Sequence, residues 1–253
     1  MIIIAVMFFI LGTIFGSFYN VAGYRLPRGE SIIRPGSHCP KCNHALKPYE
    51  LIPILSYIFL GGKCKECKEK ISCFYPLFEF LTGILFMLSY LVFGMTLDCL
   101  LAIVFISMLL IIIISDYQTM IIPDSILIFF TGIILIIKYF MVSINELGLA
   151  IINGVLAFIF MLILKLIGDF IFKRESMGGG DIKLMGVFGI MFGFPMSVVS
   201  VFMASIIGFP ISLINLKKNP THEIPFGPYL AIAAMIIVLC KFNINDLIIF
   251  ISK

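Results

Sequence analysis

Charge is scarce in this sequence of 253 residues: only 13% are Asp, Glu, Lys or Arg, whereas 61% are hydrophobic. A water-facing domain carries about one-quarter charged residues, so a soluble globule is excluded, and so are a coiled coil and a disordered tail. A dominant charge sign is also lacking. The net charge of +4 is too small for a nucleic-acid binder that works through a large basic face. The seven cysteines are too few for a secreted disulfide scaffold. No repeat of roughly 20 to 50 residues recurs. Met1 to Gly23 has no charge whatever, whereas a signal peptide opens on a basic segment and closes on a small-residue cleavage site. Residues 1–23 therefore read as an uncleaved first span.

What the sequence has in abundance is apolar runs of the length a bilayer crossing needs, about 20 residues each. Beyond the first, the hydropathy places spans at Phe74 to Phe93, Leu97 to Ser115, Ser125 to Met141, Leu147 to Phe172, Ile182 to Phe194, Met196 to Leu216 and Pro228 to Ile251. The fold class is an all-α polytopic membrane protein with about eight transmembrane helices. Nine of the 18 Lys and Arg residues fall between Arg25 and Lys70, with only four acids among them. Short loops rich in Lys and Arg stay in the cytoplasm, which sets this segment inside and the amino terminus outside. Alternate threading then puts Tyr117 to Pro123, Lys173 to Arg174 and Lys217 to Lys218 on the cytoplasmic side as well. Three regions follow: the first helix over 1–23, a small cytoplasmic insert over 24–73, and a helical bundle over 74–253.

The insert carries Cys39-Pro-Lys-Cys42 and, 21 residues later, Cys64-Lys-Glu-Cys67. Two CxxC knuckles at this separation supply four thiolates for a tetrahedral structural zinc, and a cytosolic setting favours metal over disulfides. Redox-active or free thiols are the alternative. A catalytic zinc fits less well, because four sulfurs leave no open position. His38 and His44 flank the first knuckle as outer partners or plain loop residues. Cys73, Cys99 and Cys240 read as buried small hydrophobes. Between the knuckles, Leu51 to Leu60 is apolar but too short to span, and so either docks on the bundle or lies at the membrane interface.

Carboxylates in or beside spans are functional candidates, because burial in lipid costs free energy. Asp116 ends one apolar run and opens Asp116-Tyr-Gln-Thr-Met-Ile-Ile-Pro-Asp124. Asp181 follows Gly178-Gly179-Gly180, glycines suited to close backbone approach and positive φ. Two carboxylates a few Å apart share a proton, so one activates water while the other polarises a carbonyl. This is aspartic-protease chemistry. The competing readings are helix amino-terminal caps, which suit Asp124 after Pro123, and an ion or proton pathway. Glu79, inside an apolar run, is a candidate to hold an amine or a cationic centre, or else an acid in a helix's first turn. Gly83 lies one turn further on and leaves room for a ligand or a neighbouring helix. Asp98, Asp169 and Asp246 lie near interfaces.

Taken together, these motifs resemble the bacterial type IV prepilin peptidases, membrane aspartic proteases with a GxGD motif. The similarity rests on Asp116 with Pro123-Asp124, on Gly178-Gly179-Gly180-Asp181-Ile182-Lys183, and on Ile224-Pro225-Phe226-Gly227-Pro228. In the front half it rests on Gly16-Ser17-Phe18-Tyr19-Asn20-Val21, Tyr24 to Ser31, the CxxC pairs and Tyr75-Pro76-Leu77-Phe78-Glu79 with Leu81-Thr82-Gly83. The resemblance implies two activities: cleavage of the basic leader of a prepilin or pseudopilin at the cytoplasmic face, and methylation of the new terminal amine with S-adenosylmethionine. It implies Asp116 and Asp181 as the catalytic pair, with Gly178 and Gly180 as the exposed backbone beside them. For methyl transfer it points to Glu79, Gly83, Asn20 and Arg25. It further implies a bacterial inner-membrane location, with prepilins and the bilayer as partners and no nucleic acid. A transporter that uses the acids as relays, and a scaffold built on the zinc knuckles, are the rival classes. Ion flux from purified protein in vesicles is what the transporter predicts.

Overall fold

The computed structural model describes residues 1–218 and 225–243, and every regular element among them is helical. The chain divides into two compact units, Met1–Cys99 and Leu100–Lys253. Phe74–Phe93 falls within the first of these units.

The first unit is built on α1 (Ile2–Arg25) and α3 (Phe74–Phe93). They run antiparallel, and three contacts fix the register. A Cβ on Gly12 would lie 2.8 Å from Gly83 Cα, and one on Gly16 would lie 2.8 Å from Glu79 Cα. The Asn20 side-chain amide donates to Tyr75 O at 3.2 Å. Small residues spaced by four let two membrane helices approach to backbone contact, where dispersion and Cα–H contacts replace the hydrophobic effect. Phe8 stacks on Tyr90 further down the same seam.

Between these helices lies the insert, whose two knuckles repeat one pattern. Cys39 N donates to His44 O and Asn43 N to Cys39 O; Cys64 N donates to Glu69 O and Lys68 N to Cys64 O. Asn43 and Lys68 take the same positive φ, at 57° and 59°. The short helix α2 (Leu55–Phe59) follows a turn at Ile54, which has φ 62° and ψ −52°. With Leu55 N bonded to Pro53 O at 2.6 Å, this is a γ-turn centred on a β-branched residue, a strained conformation that costs on the order of 1–3 kcal/mol. Glu79 offsets part of that strain: its Oε2 accepts the Ile54 N–H at 2.7 Å.

The second unit contains α4 (Leu97–Thr119, which begins in the first unit), α5 (Asp124–Met141), α6 (Ile144–Phe172), α7 (Gly179–Phe192), α8 (Phe194–Lys218) and α9 (Gly227–Leu239). Helix α4 supplies the core, with Ile106, Met108, Leu109 and Ile112 fully buried, and Phe105 meets Phe188 of α7 edge to face. Helix α7 is short, 14 residues or about 21 Å at the helical rise, less than the roughly 30 Å of a hydrocarbon core. It packs against α5, α6, α8 and α9. Gly193, at φ 88°, turns the chain into α8.

All eight expected apolar runs appear as helices, and six of them are long and apolar enough to cross a membrane. Those six are counted among the described residues; α7 has 14 residues and α9 has 13 to Leu239. The remainder of the expected last span, with Asp246, lies outside the described residues, as does Ile224. Two cysteines also depart from expectation: Cys99 is buried, but Cys73 and Cys240 are exposed.

Candidate active site

The carboxyl end of α4, the turn before α5 and the amino ends of α7 and α9 meet at one end of the second unit. Asp116 and Asp181 are both brought there, 5% and 7% exposed. Helix capping does not explain both. Asp181 stands in the first turn of α7, where the helix dipole favours an anion, but Asp116 stands in the last turn of α4, where the dipole opposes one. Asp116 Oδ2 is buried and has no hydrogen-bond partner. An unpaired buried carboxylate oxygen costs free energy, and its persistence in a folded protein calls for an explanation in function.

Backbone holds the two acids in place. Gly227, first residue of α9, backs onto Asp116 so closely that a Cβ there would lie 2.6 Å from Oδ2. Gly180 packs on Ile122, where a Cβ would fall 2.7 Å from the Ile122 Cβ. Ile122 thus wedges between the glycines of α7 and α9, and the Ser115 hydroxyl, donating to Ile121 O, closes the turn that carries it. Close approach at Gly180 bears out the expectation for the glycine run. Positive φ does not: none of Gly178, Gly179 and Gly180 adopts it. Upstream, Asp169 Oδ1 accepts from Ser176 N at 2.6 Å and from the Ser176 hydroxyl at 2.8 Å, which ties the approach to the glycines back to α6. Beside Gly227, a cleft of about 210 Å³ opens between α8 and α9, lined by Gly208, Phe209, Phe226 and Tyr229 among others. Asp124 is not part of the pair; it binds Lys183 Nζ at 2.6 Å on the exposed surface. Lys183, which follows the glycine run, is engaged by that bridge.

From the sequence, Gly227 stood only within Ile224-Pro225-Phe226-Gly227-Pro228 and Ile122 only within the segment from Asp116 to Asp124, neither with a role of its own. The signal for Gly227 was present as a Gly-Pro at a helix start after a Pro-Phe turn; nothing in the pattern marked Ile122.

In the first unit the four cysteines expected as ligands come together, their sulfurs all within 4.8 Å of one another. Cys39 and Cys67 sulfurs are 3.8 Å apart and those of Cys42 and Cys64 are 3.9 Å apart. A tetrahedral zinc with bonds of about 2.3 Å demands edges of about 3.8 Å. The donor set therefore fits zinc, as a closed shell. Next to the cluster, Glu50 accepts from Lys47 N at 2.8 Å and pairs with His44 at 3.1 Å. The Lys47 N–H, with His44 second, holds its carboxyl below the usual range. His44 is thus a partner of Glu50.

The residues expected at a methyl-transfer site are mostly engaged within the protein. Arg25 donates to the carbonyls of Ser31, Pro35 and Gly36, so it organises the start of the insert. Glu79 holds Ile54. Gly83 meets Phe9 and Thr13 of α1 at 2.8 Å from a notional Cβ, so the neighbouring helix takes the room it leaves. Only Asn20 keeps a buried, unpaired atom, Oδ1. These four do not form a donor set for S-adenosylmethionine.

The fold and the paired acids define a class: a polytopic helical membrane protein with two buried aspartates meeting at one end of a bundle and a four-cysteine insert near its amino terminus. Residues 10–93 match the bacterial peptidase A24 N-terminal domain and residues 103–213 match the type IV leader peptidase family. The chain belongs to the type IV leader peptidase family. It is 36% identical over 234 residues to the prepilin leader peptidase/N-methyltransferase of Bacillus subtilis, covering 91% of this chain and 92% of that protein. The same-named protein of Neisseria gonorrhoeae is 29% identical, over 94% of this chain and 89% of its own length. No solved structure matches.

Proposed function

We propose that this chain removes the leader of type IV prepilins or pseudopilins and methylates the amine so exposed, with S-adenosylmethionine as methyl donor. The observation that carries the proteolytic half is that Asp116 and Asp181, both buried, are brought to one end of the second unit by Gly180 and Gly227 packing on Ile122. Two carboxylates that share a site do not both ionise. The ionised member takes a proton from water as that water attacks the scissile carbonyl; the protonated member donates a hydrogen bond to the carbonyl oxygen as negative charge develops there. Peptide-bond cleavage is completed when the leaving amine takes a proton from the pair. The pair titrates as a unit. A helix start bare of side chains at Gly178 to Gly180 suits an extended peptide.

The methylating half rests on the family and on the amino-terminal domain that this chain carries. In this reading, zinc bound by Cys39, Cys42, Cys64 and Cys67 supplies folding free energy, and no reaction step passes through it. A prepilin has a basic leader in the cytoplasm and an apolar helix in the bilayer, so the scissile bond lies at the cytoplasmic boundary of the inner membrane, where the charge bias puts both aspartates.

The test is cleavage of a prepilin with a Gly-Phe junction by purified protein, the product weighed by mass spectrometry. The native chain is expected to cleave, and to add one methyl mass only when S-adenosylmethionine is present. Cleavage that survives Asp116→Asn or Asp181→Asn would overturn the aspartate reading.

A further inference from the structure

The segment between the knuckles leaves Leu51, Ile52, Leu55, Ile58 and Phe59 exposed, Ile58 at 63% and Phe59 at 83%. It is also set low against the helices that carry it. Ile54 N–H is held by Glu79, and the α1–α3 register puts Glu79 level with Gly16. Gly16 lies nine residues before Arg25, which ends α1, about 13 Å along the axis. A helical side chain leans toward its helix's amino terminus, so Glu79 recovers part of that distance, but the turn still lies below Arg25, alongside apolar helix. There Phe18, Leu77 and Phe80 are exposed as well, and the loop's apolar surface continues theirs.

Backbone in lipid must satisfy its own polar groups, and five N–H groups of this loop are bonded within the unit. Ile54 N donates to Glu79; Leu55 N, Ser56 N, Ile58 N and Leu60 N donate to Pro53, Ile52, Ile54 and Ser56. Exposed Lys47 and Lys63 bracket the segment, as suits a loop that leaves and re-enters a headgroup layer.

We propose that Leu51–Leu60 is a re-entrant loop immersed in the acyl layer of the bilayer beside α1 and α3, suspended from Glu79, so that the four-cysteine cluster rides on the membrane surface. The occupant of its exposed face is lipid.

The chain has no tryptophan, so Phe59→Trp and, separately, Ile58→Trp install a single reporter at exposed positions. Each variant, shown by zinc content and helicity to be folded, is placed in phosphatidylcholine and phosphatidylglycerol vesicles with or without acyl-brominated phosphatidylcholine. Immersion is expected to give blue-shifted emission, strong loss of intensity with brominated lipid and little loss with aqueous acrylamide. Water-like emission that acrylamide quenches more than bromolipid overturns the proposal. Blue emission that bromolipid leaves unchanged overturns it too, because protein then covers the loop.

Discussion

Replacing Gly227 with Ala isolates the contribution of backbone packing to the aspartate site. The backbone at Gly227 is not in the positive-φ region, so alanine brings no conformational strain, only a methyl group. That methyl would lie 2.6 Å from Asp116 Oδ2 and 3.3 Å from Ile122 Cδ1, against the 3.4 Å where ordinary contact begins. Relief requires the carboxylate or the start of α9 to move by about 0.8 Å, the difference between 3.4 and 2.6 Å. Misplacing a reacting group by about 1 Å costs up to about 10²-fold in rate, equivalent to about 2.7 kcal/mol of barrier. The expected outcome is a fall in kcat for prepilin cleavage on the order of 10²-fold, with KM little changed and methylation of an already cleaved pilin intact. Gly148→Ala, whose methyl meets nothing within 4 Å, is the control. Cleavage by Gly227→Ala within about threefold of native, less than 1 kcal/mol, would refute the claim that this contact sets the Asp116 position.

Asp116→Asn and Asp181→Asn are each expected to lower cleavage on the order of 10³-fold or more, and the double variant to be no worse than either, because the two act as a unit; single-turnover assays measure this. Chelation or Cys39→Ser is expected to release one zinc per chain, seen by metal analysis, and to open residues 35–70 to protease while leaving the helical signal of the second unit. Gly189→Ala drives a methyl into the Asn153 backbone; overpacking of this kind is expected to destabilise the protein by about 1–3 kcal/mol, read as a lower thermal midpoint in detergent. Removing the exposed Lys183–Asp124 pair by Lys183→Ala is expected to change stability by no more than about 1 kcal/mol in the same measurement.

The spans were legible because a bilayer crossing demands an unbroken apolar run, and the four-cysteine cluster because CxxC spacing is itself geometric. Asp116 and Asp181 stood out for the same reason: a carboxylate against lipid is an anomaly that hydropathy exposes. Their mutual placement was not legible, since it depends on Ile122 meeting two glycines that lie 47 residues apart in sequence, Gly180 and Gly227. Glu79 looked free because its partner is a backbone N–H presented by a γ-turn, and no propensity anticipates an isoleucine at positive φ. The pairing of α3 with α1 was foreshadowed by Gly12 and Gly16, a spacing of small residues that marks helix contact, although hydropathy alone grouped α3 with the later spans.

The glycine seam between α6 and α7 has a consequence for how the substrate gains entry. Gly154 would set a methyl 2.6 Å from Ile190 Cγ1, and Gly189 lies on the Asn153 carbonyl. At the far end, Asn153 Oδ1 accepts from Phe194 N at 3.3 Å, and Lys138 Nζ donates to Met191 O at 3.0 Å. Helix α7 is thus a stator, locked along its length and pinned at its foot, and Asp181 rides on it. Any gate that admits a transmembrane peptide sideways from the lipid has to swing on elements that lack such locks.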